Sequence, residues 1–273
     1  MAISHEGFDF VRKLVHSHSG VVLDAGKEYL VESRLQPLAQ NEGLSVQNLI
    51  DRMRLSAANP HVQRVVEALT TNETLFFRDM NPFEELRKVV LPQVIEKRRA
   101  ERRLTIWSAA CSTGQEPYSI AMMIREHFPE VMGWSFRLMA SDIAGDVLAR
   151  ARVGHYSQLE VSRGLPASYL VKNFRKSGAE WHLNDEIRRT VEFFEMNLTK
   201  PWPMLPRMDI ILIRNVLIYF DLETKRQIFT NLRHQLHSDG WLALGGSETT
   251  LGVEDAFERV STNASGWFRL RRL

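Results

Sequence analysis

The chain has 273 residues, of which 44% are hydrophobic and 25% charged, a composition that allows one large and one smaller domain core. Its 35 basic and 33 acidic side chains nearly balance, so no charge excess indicates a nucleic-acid or membrane-surface partner. The single cysteine, Cys111, excludes an internal disulfide and a cysteine-based metal cluster, and no apolar run reaches the roughly 20 residues of a membrane span, so we expect a cytoplasmic protein that is not inserted in a membrane.

Residues 1–80 are predicted to form an all-helical N-terminal domain. Apolar residues recur at helical spacing in four successive segments, and Gly20 and Gly43 stand where the first two segments end. Ser45 is placed to cap the third helix. A bundle of this kind is equally consistent with a purely stabilising role.

The segment TTNETLFFRD, residues 70–79, combines polar and aromatic side chains without periodicity and predicts an ordered loop. A linker helix is predicted over residues 81–103, with Asn81 as its cap and Pro92 bending or interrupting it. Residues 87–103 carry seven basic and two acidic side chains. This excess indicates either a solvated helix face or a docking surface for an acidic partner.

A larger α/β domain is predicted over residues 104–273. It opens with a buried strand from Leu104, a tight turn over residues 109–116 and a helix, an arrangement that can hold a polar or anionic ligand group at the helix start. The turn contains one glycine, Gly114, and so matches neither the dinucleotide nor the triphosphate fingerprint. An ordinary strand-to-helix connection is the alternative interpretation.

Further strands are predicted at residues 136–140, 208–213, 241–244 and 267–270. Residues 154–194 interrupt the α/β rhythm and indicate a small antiparallel insert. Its strands are predicted at 181–183 and 188–194, joined through Asn184 and Asp185, and the last strand is expected to return to the main sheet.

Polar side chains follow several of these strands at their carboxyl ends. The turn after the first strand, Asp142, Asn197 and Asn215 all occupy such positions, and in an open α/β sheet these ends share one crevice. Together they favour a nucleoside-like ligand. Asp142 is a candidate for binding a ribose diol, or alternatively the N-cap of the next helix.

The motifs TTNETLFFRD, SAACSTGQEPYSIAM, SDI, FFEMNL and DIILIRNVLIYFD, in this order and spacing, resemble the CheR family of chemotaxis protein methyltransferases, and the resemblance spans residues 1–273. It implies an α/β, Rossmann-like class I S-adenosylmethionine-dependent methyltransferase domain with a small antiparallel β-subdomain, preceded by an all-helical domain. It also implies an enzyme that methylates glutamate side chains of chemoreceptors for sensory adaptation, giving glutamate methyl esters and S-adenosyl-L-homocysteine.

The resemblance also implies the residues of the site, without a metal. Catalytic roles fall to Arg78 and Tyr219. The cofactor-binding residues are Asn72, Thr74, Arg78, Glu116, Asp142, Asn197, Leu198, Arg214 and Asn215. Two of these have a structural alternative: Arg78 pairs with Asp79 or Glu73, and Tyr219 is a core residue with its hydroxyl satisfied.

The implied partners are the cytoplasmic signalling helices of chemoreceptors. The family's second helix is often arginine-rich, whereas residues 27–40 here contain only Lys27 and Arg34 as basic residues. Residues 177–191 form a shorter segment than in relatives that grip a receptor pentapeptide, so tethering of that type is not expected.

We expect a monomer without nucleic-acid partners, and the sequence leaves a regulatory protein partner open. Two alternatives to the receptor methyltransferase remain. One is a methyltransferase for another protein or small-molecule carboxylate, and the other is a non-catalytic signalling module that binds S-adenosyl nucleosides.

Overall fold

The structure is a computed structural model that describes residues 3–55, 61–260 and 266–271. The chain divides into a helical unit, Met1–Thr71 with Tyr219–Thr224, and a sheet unit, Asn72–Ile218 with Lys225–Leu273. The division at residue 71 precedes the boundary expected at residue 80 because Phe76 and Phe77 belong to the core of the sheet unit. In the described part of the chain, no helix is both long and apolar enough to cross a membrane.

The first helices of the chain match the predicted periodicity. They are α1 (His5–Ser19), α2 (Glu28–Asn41), α3 (Val46–Arg54) and α4 (His61–Leu69). The hydroxyl groups of Ser4 and Ser45 accept hydrogen bonds from the N–H groups of Gly7 and Asn48, at 3.0 and 3.1 Å, and so cap α1 and α3. The helix α2 continues through Pro37.

Apolar faces of these helices form the core of the helical unit, with Phe8, Val11, Val31, Leu35, Leu49, Ile50, Val65 and Leu69 among the buried residues. Arg34 joins α2 to the end of α4. Its Nη1 donates to the carbonyl groups of Leu69 and Thr70 at 2.9 and 3.0 Å, and its Nη2 donates to Thr71 Oγ1 at 3.0 Å. A cation at a helix C-terminus satisfies carbonyl groups that lack intrahelical donors.

The short segment Tyr219–Thr224 completes the helical unit. Phe220 forms an isolated antiparallel bridge with Val21, and the N–H of Val22 donates to the carbonyl of Tyr219 at 2.8 Å. His16 Nε2 lies 2.9 Å from Asp221 Oδ2. The N–H of Thr224 and then His16 lower the pKa of Asp221 to about 2.

The sheet unit contains a seven-stranded sheet and a three-stranded sheet. Their strands are β1 (Arg103–Ala109), β2 (Ser135–Asp142), β3 (His155–Ser157), β4 (Phe174–Ser177), β5 (Glu180–Leu183), β6 (Val191–Glu195), β7 (Met208–Ile213), β8 (Leu236–Leu244), β9 (Phe257–Arg259) and β10 (Trp267–Leu270). The large sheet has the order β6-β2-β1-β7-β8-β10-β9. Pairings from β6 through β8 are parallel, whereas β10 is antiparallel to β8 and β9.

Strand order reverses beside β1, because β2 lies on one side of it and β7 on the other. Reversal points of this kind form the ligand crevice of doubly wound sheets. The helices α5 (Asn81–Glu85) and α6 (Leu91–Arg98) precede the large sheet, and the helices α7 (Gln115–His127), α8 (Gly145–Val153) and α12 (Leu222–Gln235) follow its strands β1, β2 and β7. The predicted fold class, a Rossmann-like domain after an all-helical domain, is confirmed.

The predicted linker helix is interrupted before its proline. Residues Leu86–Val90 form a π-helical turn between α5 and α6, and Pro92 is the second residue of α6. A proline has no N–H to donate and its ring clashes with the carbonyl four residues earlier, so the helix widens there.

The insert differs from its predicted hairpin. Its helices are α9 (Gln158–Ser162), α10 (Ala167–Asn173) and α11 (Asp185–Arg188). The turn predicted through Asn184 and Asp185 is wrong, because these residues lead into α11, which is stabilised by ion pairs from Asp185. The strand β5 instead pairs with β3 and with β4. Gly178, in the turn between β4 and β5, has a φ of 59°. The prediction that the last strand, β6, returns to the main sheet is confirmed.

A buried ion network near the amino ends of the parallel strands joins α6 to β7 and β8. Arg98 Nε donates to Asp209 Oδ1 at 2.6 Å, and Nη2 donates to Asp239 Oδ1 at 2.6 Å. The second oxygen of Asp209 accepts the N–H of Thr105 in β1 at 2.8 Å. Arg98 holds the pKa of Asp239 down to about 2. The guanidinium of Arg98 and its carboxylate partners therefore join α6, β1, β7 and β8.

We expect Arg98→Ala to lower the free energy of unfolding by about 3 to 5 kcal/mol, because Asp209, whose side chain is only 3% exposed, is left as an unpaired buried charge. Urea denaturation monitored by circular dichroism measures this loss. The control is Arg99→Ala, since Arg99 pairs with Glu96 and both side chains are 70% exposed, and it should cost no more than about 1 kcal/mol. Equal losses in the two variants would contradict the network's role.

Candidate functional site

The parallel strands of the large sheet end together along one edge. The Cα partners at these ends are Ala109 with Ser141 and Ile213, Asp142 with Glu195, and Ile213 with Leu244. The connections that follow, at residues 110–116, 143–144, 196–198, 214–218 and 245–248, therefore begin at the same edge. This register brings the strand-end residues expected from the sequence into one region.

The carboxylate of Asp142 supports the turn that follows β1. Its Oδ2 accepts the N–H of Ser112 at 2.8 Å, and its Oδ1 accepts the N–H of Ala144 at 3.0 Å. Ser112 has a φ of 51° and Gly114 has a φ of 92°, so the turn is tightly wound before α7. Ala144, rather than Asp142, is the N-cap of α8. Asp142 is 6% exposed, and its two hydrogen bonds hold the carboxylate in a fixed orientation.

A charge network surrounds Arg214, which follows β7 and is buried, and it includes the half-exposed Asp79. Its Nη1 lies 2.9 Å from Glu116 Oε2, and its Nη2 lies 2.8 Å from Asp79 Oδ2. The same Nη2 donates to the carbonyl of Arg78 at 2.9 Å. Ser108 Oγ donates to the other oxygen of Glu116 at 2.9 Å. The Arg214 side chain is 1% exposed, so its charge is neutralised within the protein.

Residues 72–80 lie against the start of α7. The N–H of Phe77 donates to Ser119 Oγ at 3.0 Å, and Ser112 Oγ donates to the carbonyl of Asn72 at 2.7 Å. The guanidinium of Arg78 donates to the carbonyl of Glu73 at 3.0 Å, so it does not pair with either carboxylate named as an alternative. Thr74 is half-buried in the same segment.

Three residues of that segment have left-handed backbone conformations. Phe77, Asp79 and Met80 have φ values of 49°, 69° and 44°. Conformations of this kind cost non-glycine residues about 1 to 3 kcal/mol each and persist where surrounding contacts enforce them. Here the enforcing contacts come from α7 and from Arg214.

Glu248 is a central residue of the site that sequence analysis does not single out. Its buried carboxylate accepts five backbone N–H groups at the strand edge. Oε2 accepts from Asn215 at 2.8 Å and Gly245 at 2.7 Å, while Oε1 accepts from Val216 at 2.9 Å, Leu217 at 2.7 Å and Ile218 at 3.4 Å. The signal was present in the sequence, since Glu248 follows β8 as the other polar residues follow their strands.

Asn215 has an unsatisfied acceptor beside this carboxylate. Its φ is 59°, and its Oδ1 is buried without a hydrogen-bond partner among the described residues. A Cβ at Gly245 would lie 2.8 Å from the Asn215 nitrogen and 2.7 Å from Glu248 Oε2, so only glycine fits there. Buried acceptors are rarely left unpaired, and this one therefore indicates a donor supplied by a bound molecule.

Asn197 and Leu198 follow β6 at the same edge. Asn197 Oδ1 accepts the N–H and the hydroxyl of Thr199, at 3.0 and 2.8 Å, which closes a local turn. Leu198 is buried, and its carbonyl accepts Trp202 Nε1 at 3.0 Å. This turn fixes the chain where it leaves the sheet.

Tyr219 belongs to the helical unit, where its carbonyl accepts the N–H of Val22 and its side chain is half-buried.

The thiol and phenol groups near the turn are protonated around neutral pH. Burial, then Asp142 and Glu116, raises the pKa of the Cys111 thiol well above its usual value. Burial also raises the pKa values of Tyr118 and Tyr156, whose hydroxyls donate to the carbonyls of Ala151 and Thr113. None of these groups is a suitable general base, so the arrangement favours binding and orientation over proton transfer.

Comparison with family models gives two matches. The model described as "CheR methyltransferase, all-alpha domain" matches residues 6–70, and the model described as "CheR methyltransferase, SAM binding domain" matches residues 72–265. The boundary between the matches coincides with the division between the two compact units.

Named relatives cover nearly the whole chain. Chemotaxis protein methyltransferase 1 of Pseudomonas aeruginosa is 37% identical over 276 residues, covering 99% of this chain and 100% of that protein. Chemotaxis protein methyltransferase 1 of Vibrio cholerae is 38% identical over 267 residues, covering 96% of each protein. With these relatives and both family models matching, the chain belongs to the CheR methyltransferase family, whose S-adenosylmethionine-binding domain is its sheet unit.

Proposed function

We propose that this chain transfers the methyl group of S-adenosylmethionine to glutamate carboxylates on the cytoplasmic signalling helices of chemoreceptors, forming methyl esters. The observation that carries the proposal is the network in which buried Arg214 joins the loop at Asp79 to Glu116 on α7. The names of the two relatives, both chemotaxis protein methyltransferases, support a receptor substrate. The reaction is expected in the cytoplasm.

The strand-end residues fit the cofactor. The N–H groups of Ser112 and Ala144 orient the carboxylate of Asp142 at the end of β2, the position from which an acidic side chain binds a ribose diol in folds of this kind. The unpaired Oδ1 of Asn215 is suited to an N–H donor of the cofactor. Glu116 is a further proposed cofactor-binding residue, and Ser108 and Arg214 hold its carboxylate in place with one hydrogen bond to each oxygen.

We further propose that Asn72, Thr74, Asn197 and Leu198 line the remainder of the pocket. The hydrogen bond from Ser112 to Asn72 supports this role, since it attaches the first motif to the cofactor turn. The turn closed by Asn197 supports it on the β6 side, where backbone groups rather than mobile side chains are presented.

The chemistry requires orientation rather than proton removal. A glutamate side chain, with an ordinary pKa of about 4.3, is already ionised at neutral pH. The cofactor supplies an electrophilic methyl group on a cationic sulfur, so opposite charges are neutralised as the bond forms. Exclusion of water and in-line positioning of the carboxylate are then the contributions of the protein.

Arg78 is the residue proposed to orient the substrate carboxylate. Its guanidinium makes one hydrogen bond among the described residues, to the carbonyl of Glu73, and five N–H groups are available on this side chain. A guanidinium binds a carboxylate with fixed two-point geometry, which suits placement of an attacking oxygen. A role for Tyr219 in the same step is proposed on the motif alone.

Receptor docking is expected to use basic residues outside α2. Lys27 pairs with Asp24 at 2.6 Å, and Arg34 is bonded to the end of α4. Arg34 is not available without breaking these contacts, whereas Lys27 is held only by an exposed ion pair. The connection between β4 and β5 is two residues long, which supports a function that does not depend on a receptor pentapeptide.

Transfer of a radiolabelled methyl group into receptor-containing membranes tests the proposed function. Base-labile label on the receptor is the expected result, because methyl esters hydrolyse in alkali. Label on a small molecule or on another protein would select the alternative substrates. Absence of label with intact S-adenosyl-L-homocysteine binding would indicate a binding module.

We expect Asp142→Asn to weaken S-adenosyl-L-homocysteine binding by about 1.5 to 3 kcal/mol, because charge-assisted hydrogen bonds to the diol are lost. Isothermal titration calorimetry measures the difference. Asp146→Asn, at an exposed position in the first turn of α8, is the control and should bind as the parent does. Unchanged affinity in a folded Asp142→Asn protein would reject the diol assignment.

Arg78→Ala is expected to reduce single-turnover methyl transfer by roughly 100-fold or more, as the carboxylate loses its charged two-point contact. The melting temperature should change little, since the side chain makes a single hydrogen bond. The control is Arg163→Ala, because Arg163 pairs with the Glu73 carboxylate at 3.1 Å from an exposed position. Activity equal to that of the control would remove Arg78 from the mechanism.

Glu248→Gln should lower the free energy of unfolding by at least about 2 kcal/mol and also weaken cofactor binding. The side-chain NH₂ of the introduced glutamine would face backbone N–H groups that donate to a carboxylate oxygen in the parent, so these donors would lose their acceptor. The exposed Glu258 on β9 provides the control Glu258→Gln. A fully stable variant with parental affinity would show that the carboxylate does not organise this edge.

Single-turnover rates at saturating substrate should stay nearly constant from about pH 6.5 to 8.5, because the reacting glutamate is ionised throughout. Burial raises the pKa values of Cys111, Tyr118 and Tyr156, so these groups stay protonated across the range. Rapid-quench measurements give the profile. A tenfold rise that a single His→Ala change abolishes would reveal a general base and refute this mechanism.

A further inference from the structure

Three side chains with metal-binding atoms lie together on the small sheet of the insert. His155 on β3 is the Cα partner of His182 on β5, and Glu180 precedes His182 by two residues on the same strand. Side chains two residues apart in a strand project from the same face, so all three share one face of this sheet. Their candidate ligand atoms lie within 4.8 Å of one another.

The distances within this group are close to those of a metal site. Glu180 Oε2 lies 3.8 Å from His155 Nδ1 and 3.7 Å from His182 Nε2. Tetrahedral zinc with ligands at about 2.0 to 2.1 Å places two of them roughly 3.3 Å apart, so Glu180 must approach each imidazole by about half an ångström and the two imidazole nitrogens must approach each other by up to about 1.5 Å. The imidazole rings of His155 and His182 are stacked, with centroids 3.6 Å apart and an interplanar angle of 5°. One ring must tilt on metal binding, because a metal lies in the plane of each imidazole that binds it.

From these positions we infer that His155, Glu180 and His182 bind a divalent transition-metal ion, with Zn²⁺ as the ion the donor set fits best. Two imidazoles and one carboxylate form a known type of zinc ligand set with an open fourth position. The Glu180 side chain is 55% exposed, which leaves that position accessible to water. Calcium and magnesium are disfavoured because they prefer oxygen ligands.

This group is separate from the cofactor residues described above, none of which lies on β3, β4 or β5. The sequence predicts no metal in the cofactor site, and the inferred ion lies outside it. The ion would join β3 to β5 and so stabilise the insert without taking part in methyl transfer. Arg175 on β4 is the Cα partner of His182 and is exposed, and its charge works against binding of a cation.

Titration of Zn²⁺ into the chelator-treated chain, followed by calorimetry, tests the inference. One ion should bind to the parent, raise its melting temperature by mass action and leave S-adenosyl-L-homocysteine affinity unchanged. Co²⁺ in place of Zn²⁺ should give the visible absorption of a tetrahedral nitrogen and oxygen site. Absence of zinc binding by the parent would overturn the inference.

Variants locate the ion. His182→Ala and Glu180→Gln should each reduce zinc affinity at least tenfold and remove the rise in melting temperature. Glu180→Gln alters an exposed side chain and so remains informative if His182→Ala is poorly folded. The control is His234→Ala, at an exposed position on α12. Zinc affinity that is unchanged in folded Glu180→Gln or His182→Ala protein would place the ion elsewhere and refute the site.

Discussion

The charge of Arg214 must be balanced inside the protein, and the structure of the site depends on how this is done. Removing an ion from water costs several kcal/mol unless partners replace the lost hydration. The partners are Glu116 and Asp79, which lie 98 and 135 residues away along the chain. Balancing one charge therefore brings the loop before the linker helix, the start of α7 and the end of β7 to the same place.

Backbone geometry at this edge is as specific as the side chains. Seven non-glycine residues in the described part of the chain have positive φ, and six of them are Phe77, Asp79, Met80, Ala110, Ser112 and Asn215. Carboxylates hold two of these turns, with Asp142 bonded to Ser112 and Glu248 bonded to Asn215. A rigid polar surface of this kind suits a reaction in which ready-made reactants need alignment and a dry environment.

Periodicity was sufficient to predict most of the fold, because the strands of a covered parallel sheet are continuously apolar and the helices have one apolar face. The strand-end rule located Asp142, Asn197 and Asn215 from local information. It missed Glu248, whose role depends on five N–H groups contributed by two separate connections. The pairing of β5 with β3 was likewise not predictable, since these strands are distant in sequence, whereas the β4–β5 hairpin has a local turn signal at Gly178 that the prediction did not use.

The helical unit is completed by residues that are synthesised late. Val21, Val22 and His16 have their partners in Tyr219–Thr224, about 200 positions further along the chain. On the ribosome, the first helices emerge long before this segment, and domains generally fold as their residues become available. Full consolidation of the helical unit must therefore wait until residues 72–218 of the sheet unit have been translated, so the first 71 residues alone cannot complete the N-terminal domain.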